Sequence, residues 1–486
     1  MHISSLPGNT GIGTMGKNAF SFVDRLSDNN LSYWQILPVG PTSYGDSPYQ
    51  SFSTFAGNPY FIDFDILKDQ GYLKAEDYES LDWGKDAKQV DYGTLYVNRG
   101  KVFEKLYSNF VKRIPEDFRQ FCEDNKWWLE DYSLFMAIKD AHGGIAFDRW
   151  EENIRKREVI SLKEWGEKCR ERREYYRMLQ YFFYRQWRAL KDYANKKGIS
   201  IVGDIPIYVA ADSADVWANP SLFMLDDSLR PVEVAGCPPD AFSADGQLWG
   251  NPVYNWDYLK STGFDWWCKR IESSLKIYDV LRIDHFRGFD SFYCIPYGDK
   301  TARNGKWRKG PGTQLFDEVK KRYGKLPIIA EDLGFLTDSV KQLLKDVEFP
   351  GMKLLQFAFD SREQSDYLPY KYGRNSVVYT GTHDNDTVLG WTKTASREDV
   401  NTALGYLDAS DDKSLCKKMM RSAMECVSNT CILTMQDLIG LGSEGRMNTP
   451  STLGKNWKWR ATEEQLEQKY FEDIALWAKL FGRTAR

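Results

Sequence analysis

Short apolar segments recur along the chain, and each ends in a polar cluster. Seven such segments are "YWQILPV" (33–39), "ISIVGDIPIYV" (199–209), "YDVLRIDHF" (278–286), "LPIIAEDLG" (326–334), "MKLLQFAF" (352–359), "SVVYTGTHD" (376–384) and "CILTMQDLIGL" (431–441). Nearly continuous apolar runs with polar carboxyl ends are typical of parallel strands that are covered on both faces. The pattern therefore predicts seven parallel strands.

Amphipathic patterns of helical period lie between several of these segments. They include residues 16–28, "TQLFDEVKKRYGK" (313–325) and "DSVKQLLKDV" (338–347). The opening "MHISSL" could supply an eighth strand. Eight strand–helix units close into a (β/α)8 barrel, whose functional groups gather at the carboxyl ends of the strands. We predict an α/β protein with a TIM-type (β/α)8 barrel.

Two intervals between the predicted strands are too long for simple crossovers. We interpret residues of about 45–197 and 210–277 as insertions on one catalytic barrel spanning 1–486, not as independent domains. The first is mainly helical, and its last helix, with a capping box near Ser161, stops at Gly198. The second contains "CPPDAFSADGQLWGNPVYNW" (237–256), whose composition indicates a structured loop carrying two large aromatic residues, Phe242 and Trp249.

Composition excludes several classes of protein. The net charge of −4 is spread over short mixed runs, which gives no basic face for nucleic acid. The first residues do not resemble a signal peptide, and we find no apolar run of about 18 residues, so no membrane span is predicted. The 8 cysteines form no CxxC pair and are best interpreted as reduced thiols. We therefore expect a cytoplasmic protein that binds neither membrane nor nucleic acid.

Four of the predicted strands end in an acidic residue: Asp204, Asp284, Glu331 and Asp384. In a barrel these ends face one pocket. Taken singly, each acid could equally cap a helix or pair with an arginine. Four acids at one topological level, with Arg282 and His383 beside two of them, favour function instead.

The cleavage of a glycosidic bond requires two carboxylates that flank the bond. One attacks the anomeric carbon, while the other protonates the leaving oxygen and later deprotonates the incoming hydroxyl. A third acid can stabilise positive charge, and an adjacent arginine favours an ionised nucleophile. Arg282 and Asp284 are two residues apart in a strand and should point to the same side.

Long motifs across nearly the whole chain resemble the 4-α-glucanotransferases called amylomaltases or disproportionating enzymes, of glycoside hydrolase family 77 in the α-amylase clan of retaining glycosidases. The motifs are "SSLPG", "SPYQSFSTFAGNPYFID" (47–63), "GDIPIYVAADSADVWANP", "PPDAFSADGQLWGNPVYNW", "LRIDHFRGF", "AEDLG", "GMKLLQFAF", "GTHDNDT" and "GRMNTPST". Members usually carry a short strand before "SSLPG", so the first barrel strand is expected to be truncated here.

The resemblance implies a role for each residue that it covers. Asp284 would be the nucleophile, Glu331 the general acid/base and Asp384 the stabiliser of the transition state. The loop that carries Trp249 would be the lid of the active site, over the acceptor side. The implied substrate-binding residues are Arg282, His383, Tyr49, Trp249, Ser47, Gln247, Asp204 and Asn448. The expected substrates are maltooligosaccharides and α-1,4-glucans, as donor and acceptor, with no metal and no other cofactor.

Three alternatives belong to other classes of function. "DHF" and "HDND" could form a zinc or manganese site of a hydrolase, although the arginine beside Asp284 would disfavour a cation. A non-catalytic starch-binding module would need aromatic residues but no activated acid pair. A hydrolase of the α-amylase type would use the same three acids, and only the resemblance favours transfer over hydrolysis.

Overall fold

The computed structural model describes residues 1–43, 45–239, 243–334, 336–362 and 365–484. Its strands are β1 (Tyr33–Gln35), β2 (Ser200–Pro206), β3 (Glu233–Cys237), β4 (Gln247–Pro252), β5 (Val280–Asp284), β6 (Ser291–Pro296), β7 (Lys306–Lys309), β8 (Ile328–Ala330), β9 (Gly351–Leu354), β10 (Ser376–Tyr379) and β11 (Thr430–Ile432). All seven predicted apolar segments overlap a strand that is shorter than the segment, and β9 and β11 begin one residue before theirs.

The α-helices of the described residues surround these strands. They are α1 (Lys17–Asp28), α2 (Phe64–Asp69), α3 (Tyr92–Phe110), α4 (Phe118–Ala141), α5 (Glu152–Arg155), α6 (Val159–Lys168), α7 (Arg170–Lys196), α8 (Ala214–Ala218), α9 (Trp256–Ser261), α10 (Asp265–Ile277), α11 (Thr313–Tyr323), α12 (Asp338–Val347), α13 (Val388–Thr394), α14 (Arg397–Tyr406), α15 (Asp412–Glu425), α16 (Met435–Ile439) and α17 (Glu472–Leu480). Among them, no helix combines the length and apolarity needed to cross a lipid bilayer.

Seven parallel strands form a nearly closed barrel in the order β1-β2-β5-β8-β9-β10-β11, which confirms the predicted fold class. Register places the functional strand ends side by side, because Pro206 on β2 pairs with Asp284 on β5. On the next strand, Ile283 pairs with Ala330, the residue before Glu331. Two neighbouring strands therefore deliver Asp284 and Glu331 to the same edge of the barrel.

The predicted eighth strand at "MHISSL" is wrong. Ile3–Ser5 form a 3-10 helix instead, followed by Leu6 in an extended conformation. An extended Leu6 is expected before Pro7, because proline disfavours the helical conformation of the preceding residue. This segment still contacts β1, since Trp34 Nε1 donates to the Met1 carbonyl oxygen at 2.7 Å.

The two long intervals contain the helices and strands that cover the barrel. The chain between β1 and β2 forms α2 to α7, and α7 turns its apolar side, including Leu179, Phe183, Trp187 and Leu190, into the core. The capping box predicted near Ser161 is wrong, because α6 starts at Val159 and a separate helix, α7, starts at Arg170. Gly198, at φ 79°, follows the end of α7 as expected.

A second, antiparallel sheet has the strand order β4-β3-β6-β7 and was not predicted. It consists of two antiparallel strand pairs, β3 with β4 and β6 with β7, which are separated along the chain by β5 and joined by pairing of β3 with β6. The Trp249 ring contacts the ring of His285, so this sheet lies next to the residue that follows Asp284. Trp249 is carried on its β4 edge.

Alternate residues of the barrel strands point inward. Val202, Ile329, Met352, Leu354, Val377 and Tyr379 form one apolar cluster. On β2 and β5 the same alternation brings Asp204 and Arg282 into the interior, where both are nearly inaccessible to solvent. The floor of the site therefore contains charged groups set above an apolar layer.

Candidate active site

Arg282 is the centre of the charged cluster inside the barrel. It is 2% exposed, and its Nη1 donates to Asp204 Oδ2 at 2.5 Å while Nη2 donates to Asp284 Oδ1 at 2.9 Å. The strand alternation that pointed Arg282 and Asp284 to one side is confirmed by this contact. A buried guanidinium needs such partners because an unpaired buried charge is strongly unfavourable.

Asp204 lies behind this arginine and is 1% exposed. The same Oδ2 that accepts from Arg282 also accepts from the Tyr49 hydroxyl at 2.8 Å. Through these two contacts, Asp204 connects Arg282 to the loop that carries Tyr49. Its position indicates that it holds other residues in place.

Asp284 is half-buried at the end of β5. Burial raises the pKa of its carboxyl above the ordinary value, and the nearby Asp204 and Asp384 add to the increase, while Arg282 opposes it. The expectation that the arginine keeps this acid ionised is thus met only in part, because desolvation is the larger effect.

Glu331 directly follows β8 and faces the same space. Its Oε2 accepts from the His285 N–H at 2.6 Å and its Oε1 from the Leu333 N–H at 2.9 Å. Burial raises the pKa of Glu331, and the charge of Asp284 raises it further, outweighing Arg282 and the two N–H donors. A carboxyl with a raised pKa can carry a proton near neutral pH, as a general acid must.

His285 adopts the left-handed conformation with φ 54° between these two acids. The sharp turn directs its N–H towards Glu331, and its ring contacts Trp249 edge-to-face with the centroids 4.8 Å apart. Burial lowers the pKa of the His285 imidazole to about 3, so the ring is neutral. Strained backbone at such a turn is common in functional sites.

Asp384 is held on the opposite side by the chain after β11. Asn448 Nδ2 donates to Asp384 Oδ1 at 2.6 Å, and Arg446 Nη2 donates to the Asp384 carbonyl oxygen at 2.7 Å. His383 Nε2 lies 3.4 Å from the same Oδ1. The Asp384 side chain remains 44% exposed, so it faces open space.

Aromatic side chains enclose the space between these acids. The Tyr49 ring stacks on His383 at 5.1 Å, and Trp457 lies 5.8 Å from both rings. Trp249 Nε1 donates to Gln247 Oε1 at 3.1 Å, while Phe242 lies outside the described residues. Ser47 accepts from the Tyr49 N–H within its own turn.

Sequence reasoning missed Arg446 and Trp457, which hold or border predicted residues. Arg446 stands two residues before Asn448 in the "GRMNTPST" motif, and this adjacency was the available signal. No comparable signal marked Trp457. In the described part of the chain, no group of three or more His, Cys, Asp or Glu side chains has an arrangement that could hold a metal ion.

Several known proteins are similar to this chain. A family profile described as 4-alpha-glucanotransferase matches residues 1–466. A 4-alpha-glucanotransferase of Clostridium butyricum is 50% identical over 485 residues, covering 99% of this chain and 100% of that protein. The solved amylomaltase of Streptococcus agalactiae, in complex with acarbose, is 44% identical with a TM-score of 0.97, covering 100% of this chain and 98% of that chain. The Corynebacterium glutamicum amylomaltase, 17% identical with a TM-score of 0.76, covers 98% of this chain and 74% of that chain and shares the fold.

The raised pKa of Glu331 predicts a pH-dependent effect on stability. Its contribution is present below the ordinary pKa of 4.5 and is lost as the pH rises through the higher folded-state value, because ionisation in a buried site is unfavourable. Glu331→Gln cannot ionise, so its free energy of unfolding relative to wild type should increase from pH 5 to pH 9 by on the order of 1 kcal/mol. Urea denaturation at both pH values measures this difference.

Glu331→Gln also replaces one of the two acceptor oxygens by an amide NH2, so one backbone N–H loses its acceptor. This loss changes the free energy of unfolding equally at both pH values. The exposed Glu116 provides the matched control. Glu116→Gln should show no comparable change between pH 5 and pH 9. An equal pH response in the two variants would contradict the raised pKa of Glu331.

Proposed function

The chain belongs to the 4-alpha-glucanotransferase family, and from that premise we propose that it transfers α-1,4-glucan segments by a retaining double displacement. The observation that carries this proposal is the acid pair at the ends of β5 and β8. Asp284 is bonded to a buried arginine, whereas Glu331 is bonded to backbone N–H groups alone. The environment of Asp284 therefore favours the ionised form that a nucleophile needs, and the environment of Glu331 favours the protonated form that a proton donor needs.

In the first step, Asp284 attacks the anomeric carbon and Glu331 protonates the leaving oxygen. A covalent glycosyl-enzyme forms, and the shortened glucan leaves from the acceptor side. In the second step, the ionised Glu331 takes the proton from an incoming sugar hydroxyl, which displaces Asp284. One α-1,4 bond is broken and one is formed.

Asp384 is proposed to stabilise the positive charge that develops on the reacting sugar. The contact from Asn448 fixes its carboxylate, and its exposed side faces the pocket. Arg282, Asp204 and Tyr49 would hold the nucleophile from behind, and His383 would line the subsite of the reacting sugar. Ser47 and Gln247 are proposed as weaker hydroxyl-binding groups, and Asn448 would combine that role with holding Asp384.

Donor and acceptor are proposed to be maltooligosaccharides or longer α-1,4-glucans, bound without a cofactor. The β4 edge with Trp249 and the insertion after β1 would be the walls that exclude water. An acceptor held in line can reach effective molarities of up to about 10⁵–10⁸ M, far above that of bulk water. The cysteines, which form no disulfide, support a cytoplasmic location.

Replacing the two acids should separate their roles. Asp284→Asn should abolish nearly all turnover, by at least about 10⁴-fold, while oligosaccharide binding is retained. Glu331→Gln should cripple natural substrates yet still form the intermediate from a glycosyl fluoride, whose leaving group needs little protonation. Mass spectrometry should detect the trapped intermediate in Glu331→Gln and should not detect it in Asp284→Asn. Near-normal turnover by Asp284→Asn would contradict the nucleophile assignment.

Trp249 should contribute most to the longer acceptors. Its ring lies against His285, the neighbour of Asp284, so Trp249→Ala removes a stacking surface on the acceptor side. For long acceptors we expect kcat/KM to fall by an amount that corresponds to a loss of transition-state stabilisation on the order of 1–3 kcal/mol, and for glucose we expect a smaller fall. Equal losses for all acceptors, together with a lower unfolding temperature, would mean that Trp249 only packs its own loop.

Maltotriose as sole substrate tests transfer against hydrolysis. Transfer should give glucose and a ladder of longer maltooligosaccharides while the number of reducing ends stays nearly constant, because each broken bond is replaced. Chromatography with a reducing-end assay measures both, and a chelator should have no effect. A rise in reducing ends that equals glucose release would identify a hydrolase.

A further inference from the structure

Arg270 on α10 is a fully buried arginine outside the charged cluster of the active site. It is 1% exposed, and every nitrogen of its head group donates a hydrogen bond. Nη2 donates to the Pro206 carbonyl at 2.6 Å, and Nη1 donates to the Ile207 carbonyl at 2.9 Å and to the Tyr254 hydroxyl at 3.2 Å. Nε donates to Thr54 Oγ1 at 2.8 Å. One side chain thus ties together three segments that are distant in sequence.

Two of these segments lead directly to the proposed nucleophile. Pro206 is the residue of β2 that pairs with Asp284. Thr54 lies in the same loop as Tyr49, whose hydroxyl binds Asp204, the partner of Arg282. Arg270 therefore holds both the strand beside Asp284 and the loop behind Arg282.

Asp215 extends this connection on the other side of Thr54. The Thr54 N–H donates to Asp215 Oδ2 at 2.8 Å, and Asp215 is 4% exposed. Burial raises the pKa of Asp215 to about 6, and the Thr54 N–H and Arg270 oppose that increase. The loop is thereby held between a buried cation and a buried acid.

Packing alone does not fix the loop against the strand. A cavity of about 40 Å³ lies between them, and its lining includes Tyr49, Thr54, Asp204, Pro206 and Arg270. A cavity removes van der Waals contacts from the side chains that line it. Directed hydrogen bonds link loop and strand around this cavity: those of Arg270 to Thr54 and Pro206, and that of Tyr49 to Asp204.

We propose that Arg270 is a positioning residue for the glucan-transfer reaction. It sets the distance between the end of β2 and the Thr54 loop, and so the alignment of Asp204, Arg282 and Asp284, without touching substrate. The inference rests on the proposed role of Asp284 as nucleophile. A purely structural role would instead make Arg270 a determinant of stability alone.

The test uses two variants that break the connection at different points. Arg270→Lys keeps the charge but cannot reach four oxygens, and Thr54→Val keeps the shape but removes the hydroxyl. We expect both to lower kcat for maltotriose by about 10- to 100-fold, because small misplacements of reacting groups have effects of this size. KM should stay within about twofold, and fluoride release from a glycosyl fluoride should fall in parallel with kcat. Thr54→Ser, which retains the hydroxyl, should remain close to wild type.

Arg99 is the matched control for loss of a buried arginine. It is 0% exposed, donates to the Ile62 carbonyl at 2.9 Å and to Thr10 Oγ1 at 3.1 Å, and stacks on Phe64 at 4.3 Å. Arg99→Lys should lower the unfolding temperature but leave kcat per folded molecule unchanged. Circular dichroism at the assay temperature gives the folded fraction of each variant.

Each outcome decides one question. If Thr54→Val and Arg270→Lys lose no more kcat per folded molecule than Arg99→Lys, the positioning role is wrong. Should Arg270→Lys fail to fold, the comparison of Thr54→Val with Thr54→Ser decides alone. Full turnover by Asp284→Asn would overturn the proposed function itself, whereas an inactive Asp284→Asn beside a fully active Thr54→Val would overturn only the inference.

Discussion

The structure of the site depends on one buried cation between two acids. Arg282 is inaccessible to solvent, so its charge has to be met by the ionised groups that line the barrel interior. Asp204 supplies the contact at 2.5 Å, and Asp284 supplies the second at 2.9 Å. Asp204, which is nearly inaccessible to solvent, fixes Arg282 from one side. The other side of Arg282 can therefore orient Asp284, which faces the pocket.

The same burial gives the two proposed catalytic acids different environments. Desolvation raises the pKa of both Asp284 and Glu331, and the charge of Asp284 raises the pKa of Glu331 further. Of these two acids, Asp284 is the one that accepts a hydrogen bond from Arg282, so negative charge is favoured on Asp284 and the proton on Glu331. In the proposed mechanism, this one asymmetric contact would favour the protonation state that each acid needs.

The surrounding chain stabilises this arrangement from several directions. Asn448 and Arg446 hold Asp384 from the segment after β11, and Tyr49 reaches Asp204 from the loop after β1. The antiparallel sheet brings Trp249 against His285. These contacts come from segments far apart in sequence, which accounts for long motifs spread over nearly the whole chain.

The sequence by itself determined the local pattern: seven parallel strands, the helices α1, α11 and α12, and the acids Asp284 and Glu331 at the ends of β5 and β8. The other two predicted strand-end acids lie elsewhere, Asp204 within β2 and Asp384 beyond the end of β10. Such features follow from residue periodicity and from the two-residue alternation that turns Arg282 and Asp284 to one side. The predicted strand at "MHISSL" is wrong, because Ile3–Ser5 form a 3-10 turn and only Leu6, before Pro7, is extended. Only the tertiary structure decided that Asp204 is buried whereas Asp384 is exposed, and that Arg446, Trp457 and Arg270 belong around the site. Closure of the barrel sets solvent access and joins residues from distant parts of the chain, and no local pattern encodes either property.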